Sequence, residues 1–203
     1  MSNSSSPFRD LRFEKLESLK PQERILKTGI TLFNKYGVNT IGIDQVIAES
    51  NVSKRTFYNY YPSKNDLISA YLDFWEEYRF TNLEKYLSTL KGNDPKSEIL
   101  ILFDALKDWT SQSDFNGCMF TRGLNDFATD DSGLLVEKVN QHFKKSADFI
   151  NERLAKIVKP GKAKAILSQL LSLIVGTMVV AHITGDNSIA TLNKGIAKTL
   201  LEG

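Results

Sequence analysis

Residues 43–64 read IDQVIAESNVSKRTFYNYYPSK, and this stretch decides the fold of the chain. It holds two short segments with helical apolar spacing, separated by the turn-forming residues NVS. The second segment places Lys54 and Arg55 beside four aromatic rings, and burying all of these rings would draw the charges out of water. Two short helices joined by a tight turn form a helix-turn-helix, whose second helix can enter the major groove of DNA. DNA offers phosphates to cations and hydroxyls, and base edges to hydrogen-bonding side chains, so this mixed surface suits it.

The rest of the chain also has helical periodicity. No segment shows a sustained period of two, so we expect an all-α protein of about nine or ten helices. Turn formers divide the sequence into helical segments at about 21–36, 43–50, 54–60, 64–90, 95–112, 117–128, 132–158, 161–184 and 187–202. Ser53 is placed to cap the third segment, Ser63 with Asp66 the fourth, and Asn51 is expected in the left-handed conformation of a tight turn.

The N-terminal 19 residues are harder to interpret. Residues 1–7 are Ser-rich and predict a disordered tail, whereas residues 8–19 have loosely helical spacing that leaves a short helix open. Arg9 and Arg12 belong either to a basic arm that reaches a minor groove or to a solvated tail, and the solvated tail is the prediction.

Charge and cysteine content bound the class of protein. The formal net charge of +2 is too small to indicate nucleic acid by itself, but residues 1–68 carry ten Lys or Arg against seven Asp or Glu. A single cysteine and an N-terminus without an apolar run favour a cytoplasmic protein.

Residues 165–183 carry no formal charge over nearly the length of a membrane span. Their several polar side chains favour a helix buried at a subunit contact, so no membrane association is expected.

Residues 24–71, RILKTGITLFNKYGVNTIGIDQVIAESNVSKRTFYNYYPSKNDLISAY, closely resemble the DNA-binding domain of the TetR family of bacterial transcriptional regulators. The resemblance implies an N-terminal tail over 1–19, a three-helix helix-turn-helix domain over 20–66, and a larger helical ligand-binding and dimerisation domain over 67–203.

The resemblance also implies roles for individual side chains. Helix three of the family reads the major groove, so Lys54, Arg55 and Tyr58 are expected to face base edges. Phosphate contacts are expected from Ser53, Thr56, Tyr60 and Lys64, whereas Phe57 and Tyr61 match core positions of the family.

The start of helix two departs from the family pattern. Gly42 stands where the family often has Thr, and Asp44 stands where a base or polar donor is frequent. We therefore expect fewer phosphate contacts from this helix. Asn51 replaces the usual turn Gly, which the left-handed geometry tolerates.

Specific DNA recognition by so small a unit requires two copies with two-fold symmetry, so we predict a homodimer. Its contact is expected through the helices at about 161–184 and 187–202. Ser168, Ser172 and Gly176 form one stripe of small side chains on the first of these helices. Ala190, Gly195 and Ala197 are the small residues of the second. The alternative is that both helices serve only as intrachain core.

The middle of the chain is longer than dimerisation requires, and the resemblance implies a small-molecule domain there. FNGCMFTRGLNDFATDDSG, residues 115–133, is similar to the sixth-helix segment of a sub-group of TetR proteins. Ligand contacts are predicted at Trp109, Cys118, Phe120 and Arg122, and at Met178 in the helix at about 161–184.

Two residue types in this region have alternative interpretations. Cys118 is either a redox or electrophile sensor or a buried inert thiol, and the inert thiol is the prediction. His142 and His182 have no neighbours at metal-ligand spacing, so neither a metal nor a cofactor is expected.

The functional hypothesis is a homodimeric repressor that binds an inverted-repeat operator through helix three and is released by a small molecule. The alternative is a helix-turn-helix protein without a ligand, whose second domain serves oligomerisation or a protein partner. An enzyme is not expected, because HExxH, CxxC, GxSxG and a Gly-rich phosphate loop are all missing from the sequence.

Overall fold

The structure, a computed structural model, describes residues 8–127 and 132–202. Within these ranges the regular structure is helical, which confirms the all-α class. The α-helices are α1 Pro21–Tyr36, α2 Ile43–Ser50, α3 Lys54–Tyr60, α4 Lys64–Ser88, α5 Pro95–Thr110, α6 Met119–Asp126, α7 Leu134–Leu154, α8 Pro160–Thr184 and α9 Ile189–Glu202. The predicted disorder of residues 1–7 and most of the predicted TDDSG break lie outside the described residues.

The helix ends follow local sequence signals. Pro21 occupies the first turn of α1, and Gly37 ends this helix at φ 84°, a left-handed value that favours glycine. Asp94 caps α5 by accepting hydrogen bonds from the backbone N–H groups of Lys96 and Ser97. The predicted end of α7 near residue 158 is wrong, because the helix ends at Leu154.

The segment before α1 contains two short 3₁₀ turns, Leu11–Phe13 and Leu16–Ser18, joined by extended backbone. Asp10 caps the first turn by accepting from the N–H of Arg12. Leu11 and Leu19 are each only 6% exposed, so the loosely helical spacing marked side chains that pack inward without forming an α-helix.

The chain divides into two compact units. The first comprises residues 8–81 with 126–127 and 132–138, so the early part of α4 belongs to it. Edge-to-face packing of Phe33 on Tyr71 links α1 to α4, with ring centroids 5.5 Å apart. Gly29 of α1 lies beside Leu67 of α4, since a Cβ there would be in van der Waals contact with the leucine side chain at 3.4 Å. The predicted division at residues 66 and 67 refers to function and stays a prediction.

The second unit comprises residues 82–125 and 139–202. A buried polar contact joins α8 to α9, where Asn193 Nδ2 donates to Thr177 Oγ1 at 2.8 Å. Lys194 on α9 pairs with Asp104 on α5 at 2.5 Å. Ala190 and Ala197 are fully buried on the inward side of α9, so these small residues belong to the core of the chain itself.

Two helices of the second unit leave apolar side chains exposed. The exposed aliphatic residues are Val179, Val180 and Ile183 on α8, and Leu192 and Ile196 on α9. By length and composition α8 could cross a membrane, and only 22% of its most apolar stretch is buried within the chain. We call these five residues the aliphatic face.

Candidate nucleic-acid interface

The turn between α2 and α3 has the geometry that the sequence predicts. Asn51 adopts φ 52° and ψ 50°, the left-handed conformation in which Asn is among the best-tolerated residues after Gly. Its N–H closes α2 by donating to Ala48 O at 3.3 Å. Ser53 then caps α3, its Oγ accepting from the N–H of Thr56 at 3.1 Å. These local bonds fix where α3 begins.

A helix of seven residues is too short to be stable alone, so α3 depends on what it buries. Phe57 is fully buried and Tyr61 is 5% exposed, with ring centroids 6.1 Å apart. Both predicted core positions are therefore occupied as expected. Burial raises the pKa of Tyr61 to about 12, because ionisation would place a phenolate in the core.

The remaining faces of α3 point to solvent. Lys54 and Arg55 are exposed, and Tyr58 and Tyr60 are 41% and 43% exposed. The sequence KRTFYNY contains no carboxylate, so α3 carries two cations and two exposed phenol hydroxyls on the same short helix. This surface can donate hydrogen bonds and positive charge to a polyanion.

The remaining predicted phosphate contacts flank this surface. Lys64 opens α4 and is half-buried, and desolvation lowers its pKa. A reciprocal capping box orders this helix start, since Ser63 N donates to Asp66 Oδ2 at 2.8 Å and Asp66 N donates to Ser63 Oγ at 3.2 Å. Ser53 and Thr56 hydroxyls bond each other at 2.8 Å and are positioned as a pair.

The start of α2 places an acidic group beside this surface. Asp44 Oδ1 lies 3.5 Å from Lys54 Nζ, and both side chains are well exposed. Such a solvated pair contributes little to stability, but it competes with a phosphate for the ammonium group. The sequence shows that Asp44 replaces a donor of the family pattern. It does not show the contact with Lys54, because the two residues lie on different helices.

The structure separates the two arginines of the N-terminal segment. Arg9 binds Glu14 and Glu23 at 3.1 and 2.9 Å, and the side chain of Arg12 is only 7% exposed. The prediction of a solvated tail was therefore wrong for Arg12. Neither guanidinium is presented freely for a minor groove.

The five predicted ligand contacts all lie in the second unit, four of them buried and Arg122 half-buried. Their ring contacts have separate partners. Trp109 packs edge-to-face on Phe115 at 5.0 Å, whereas Phe120 stacks flat on His142 at 3.6 Å. Arg122 donates to Asn116 O at 3.0 Å.

Cys118 is the residue with an alternative role in sensing, and its side chain is a free thiol that is only 2% exposed. No cluster of three or more His, Cys, Asp or Glu side chains with metal-binding geometry occurs among the residues that the structure describes. A groove of about 440 Å³ between α7 and α8 is lined by Asp148, Asn151, Lys164 and small apolar side chains, and it contains none of the five predicted ligand residues.

Part of the first unit matches a known protein family. Residues 25–71 match the family model for bacterial regulatory proteins of the tetR family. An uncharacterized HTH-type transcriptional regulator of Bacillus subtilis, YuxN, is 28% identical over 101 residues, which cover 46% of this chain and 34% of that protein. The match thus spans about a third of the length of this curated relative.

Solved structures are similar over nearly the whole chain. A TetR-family transcriptional regulator from Streptomyces coelicolor aligns with a TM-score of 0.78 and 23% identity, covering 90% of this chain and 94% of that one. A TetR transcriptional regulator from Legionella pneumophila aligns with a TM-score of 0.71 and 20% identity, covering 89% and 97%. At these identities the likeness establishes the fold, with an N-terminal helix-turn-helix and a larger helical second part.

Proposed function

We propose that this chain, a TetR-family transcriptional regulator with a helix-turn-helix DNA-binding domain, acts as a homodimeric repressor released from its operator by a small molecule. In this proposal α3 reads an inverted-repeat operator, the second unit carries dimerisation and ligand control, and the protein works in the cytoplasm. Regulation rather than catalysis is its role.

The observation that carries DNA recognition is the exposed surface of α3. Lys54 and Arg55 are free of any carboxylate on their own helix, and Tyr58 stands beside them at 41% exposure. Arg and Lys donate to guanine O6 and N7, so Lys54, Arg55 and Tyr58 are assigned to base edges. Ser53, Thr56, Tyr60 and Lys64 are assigned to phosphates, where hydroxyl and ammonium donors fix the register.

Dimerisation is supported by the aliphatic face. Ile183 is 75% exposed and Leu192 is 62% exposed, so isolated chains would leave large apolar side chains in water. A second copy that presents the same face would bury Ile183 and Leu192 of each chain. It would also bring its α8 close to the exposed Ser168 and Ser172 of the first copy. This arrangement also explains why α8 is apolar without spanning a membrane.

Ligand control rests on the composition of the second unit. Trp109, Cys118, Phe120 and Met178 are buried apolar side chains of this unit, and the half-buried Arg122 adds a cation to it. A ligand that binds one conformation of this unit better than another would shift the equilibrium of DNA binding by that difference in affinity.

The alternative of a ligand-independent DNA-binding protein is favoured by one observation. Trp109 and Phe120 pack against the chain's own Phe115 and His142, as core residues do. Thermal unfolding against a panel of apolar and anionic small molecules discriminates the two. A compound that raises the melting temperature and also releases DNA supports ligand control, whereas a panel without any such compound favours the alternative.

The experiment that tests DNA recognition is selection of bound duplexes from a random-sequence pool by the purified full-length chain. Enrichment of an inverted repeat is expected, and the Arg55→Ala variant should lose the enrichment. An Asn140→Ala variant, altered on an exposed position of α7, is the matched control and should keep it. A pool that stays random at low salt with the unaltered chain would overturn the proposal.

A further inference from the structure

Residues 8–20, which we call the N-terminal strap, precede the family match at 25–71 and nevertheless pack on the first unit. Leu11 and Leu19 are buried, although the strap forms only two 3₁₀ turns. A segment with so little regular structure is held in place by side-chain contacts, so these contacts indicate what it does.

One set of contacts attaches the strap to α1. Lys27 Nζ donates to the backbone carbonyls of Leu11 and Arg12 at 2.9 and 2.6 Å, which satisfies two acceptors of the first 3₁₀ turn. Arg9 adds a more exposed pair with Glu23 at 2.9 Å. The backbone of the strap is therefore bonded to one face of α1.

A second set of contacts attaches the strap to α4. The guanidinium of Arg12 lies 4.3 Å from the ring centroid of Tyr78 and 4.9 Å from that of Trp75, within the range of a cation–π interaction. Phe8 adds a ring contact with Phe74 at 5.4 Å. Trp75 is only 1% exposed, in part because the strap covers it.

Asp10 holds the guanidinium in this position. Its Oδ2 accepts from Arg12 at 2.7 Å, so the buried cation has a charged partner as well as aromatic faces. A planar guanidinium can stack on rings and bind a carboxylate at its edge at the same time, which an ammonium group cannot do equally well.

The strap joins α1, which precedes α3 in the chain, to α4, which follows it. Residues 74–78 lie ten or more residues beyond Lys64, roughly 15–20 Å along α4 at the rise of an α-helix. Because α3 is connected to α4 through Tyr61–Ser63 and packs on α1, the placement of α4 on α1 determines how α3 is held.

We propose that the N-terminal strap ties α4 to α1 and that Arg12 is the positioning residue which fixes α3 for operator binding without touching DNA. The DNA-reading unit then extends from residue 8 to about residue 78, beyond the module that the family model matches. This inference rests on the proposed DNA recognition for its binding readout.

The test measures the affinity of full-length variants for a selected duplex, well below the melting temperature of each variant. Arg12→Ala should bind roughly three- to ten-fold more weakly, the range expected for loss of a cation–π contact. Arg12→Lys should recover part of the loss because it restores the charge without the planar stack. Lys15→Ala is the matched control from the same strap and should bind like the unaltered chain, because it removes an exposed cation that takes no part in the contacts with α1 and α4.

The salt dependence of binding separates positioning from direct contact. For Arg12→Ala the slope of log affinity against log salt should equal that of the unaltered chain. A slope shallower by about 2 would mean that one arginine of each subunit neutralises a phosphate, and it would overturn the proposal. Unchanged affinity with only a lower melting temperature would also overturn it, since the strap would then be merely stabilising.

Two further measurements cover failure of folding and failure of DNA recognition. If Arg12→Ala does not fold, Lys27→Met releases the strap from α1 without altering α4, and it should weaken binding with the same slope. Unaltered affinity of Lys27→Met would then reject the strap. If the unaltered chain binds no duplex, amide hydrogen exchange still tests the strap: Arg12→Ala should accelerate exchange in residues 74–81, and unchanged exchange would reject it.

Discussion

The helices α3 and α8 both expose large side chains, but those of α3 are polar or charged and those of α8 are apolar. α3 is seven residues long and exposes Lys54, Arg55 and two tyrosines, whereas α8 is 25 residues long and exposes Val179, Val180 and Ile183. The surface of α3 can remain hydrated and suits a polyanion. The surface of α8 leaves water only when another apolar surface packs against it. Exposure alone therefore does not identify a partner; the type of side chain indicates which kind of partner each surface suits.

The buried and exposed sides of α3 can be tested by truncating one ring on each. Phe57→Ala should lower the free energy of unfolding of the first unit by about 3–5 kcal/mol, because it removes a fully buried ring from a small core. Tyr58→Ala, one residue further along and 41% exposed, should change stability by less than about 1 kcal/mol. Chemical denaturation followed by amide exchange in α1 and α3 measures both. Equal losses would mean that α3 does not have distinct inner and outer sides.

The aliphatic face can be tested by a single charge. Ile183→Glu should weaken self-association by about 2 kcal/mol, roughly thirty-fold, because a carboxylate would be desolvated in the dimer contact. Sedimentation over a concentration series gives the dissociation constant. Asn140→Glu, which adds the same charge on exposed α7, should leave self-association unaltered. If both variants behave alike, the aliphatic face is not the subunit contact.

The salt dependence of binding tests the polyanion-binding surface of α3. Six phosphate contacts, from Lys54, Arg55 and Lys64 of two subunits, would give a slope of log affinity against log salt of roughly −5, and each cation that contacts a base instead makes the slope shallower. Because Lys54 is assigned to a base edge, Lys54→Gln should weaken binding and leave the slope unaltered; a slope shallower by about 2 would reassign this lysine to phosphate. Asp44→Asn removes the carboxylate that competes for Lys54 and should strengthen binding, by no more than about 1 kcal/mol. A slope near zero for the unaltered chain would remove the DNA assignment of α3.

The smallest expected effect concerns the start of α2. Gly42 has φ −86° and ψ 156°, values open to any residue, and a Cβ there would meet no atom within 4 Å. Gly42→Ser should therefore raise stability by a few tenths of a kcal/mol, because its hydroxyl can cap the helix. Gly92→Ser is the opposite case, since φ 89° strains any side chain, and it should cost about 1 kcal/mol. Thermal unfolding compares the two, and the same sign for both would contradict the cap.

Local sequence signals predict the helices and the buried and exposed sides of α3. Ser53 caps α3 and Asp66 completes the box at α4 through bonds that span three residues, so their chemistry is readable locally. Phe57 and Tyr58 were separated into core and surface because helical geometry turns neighbouring side chains by about 100°. The all-α class follows from the same periodicity.

At other positions, packing between residues distant in sequence determines whether a side chain faces the core or the solvent. Ala190 and Ala197 were expected at the dimer contact and instead pack inside the chain, leaving Leu192 and Ile196 exposed on the same helix. Arg12 was expected in solvent and instead lies against Tyr78, 66 positions away in sequence. Periodicity reports that a helix has an apolar side, but it does not report which partner covers that side. The burial of Arg12 depends on the distant rings of Trp75 and Tyr78, whereas its carboxylate partner, Asp10, is only two residues away.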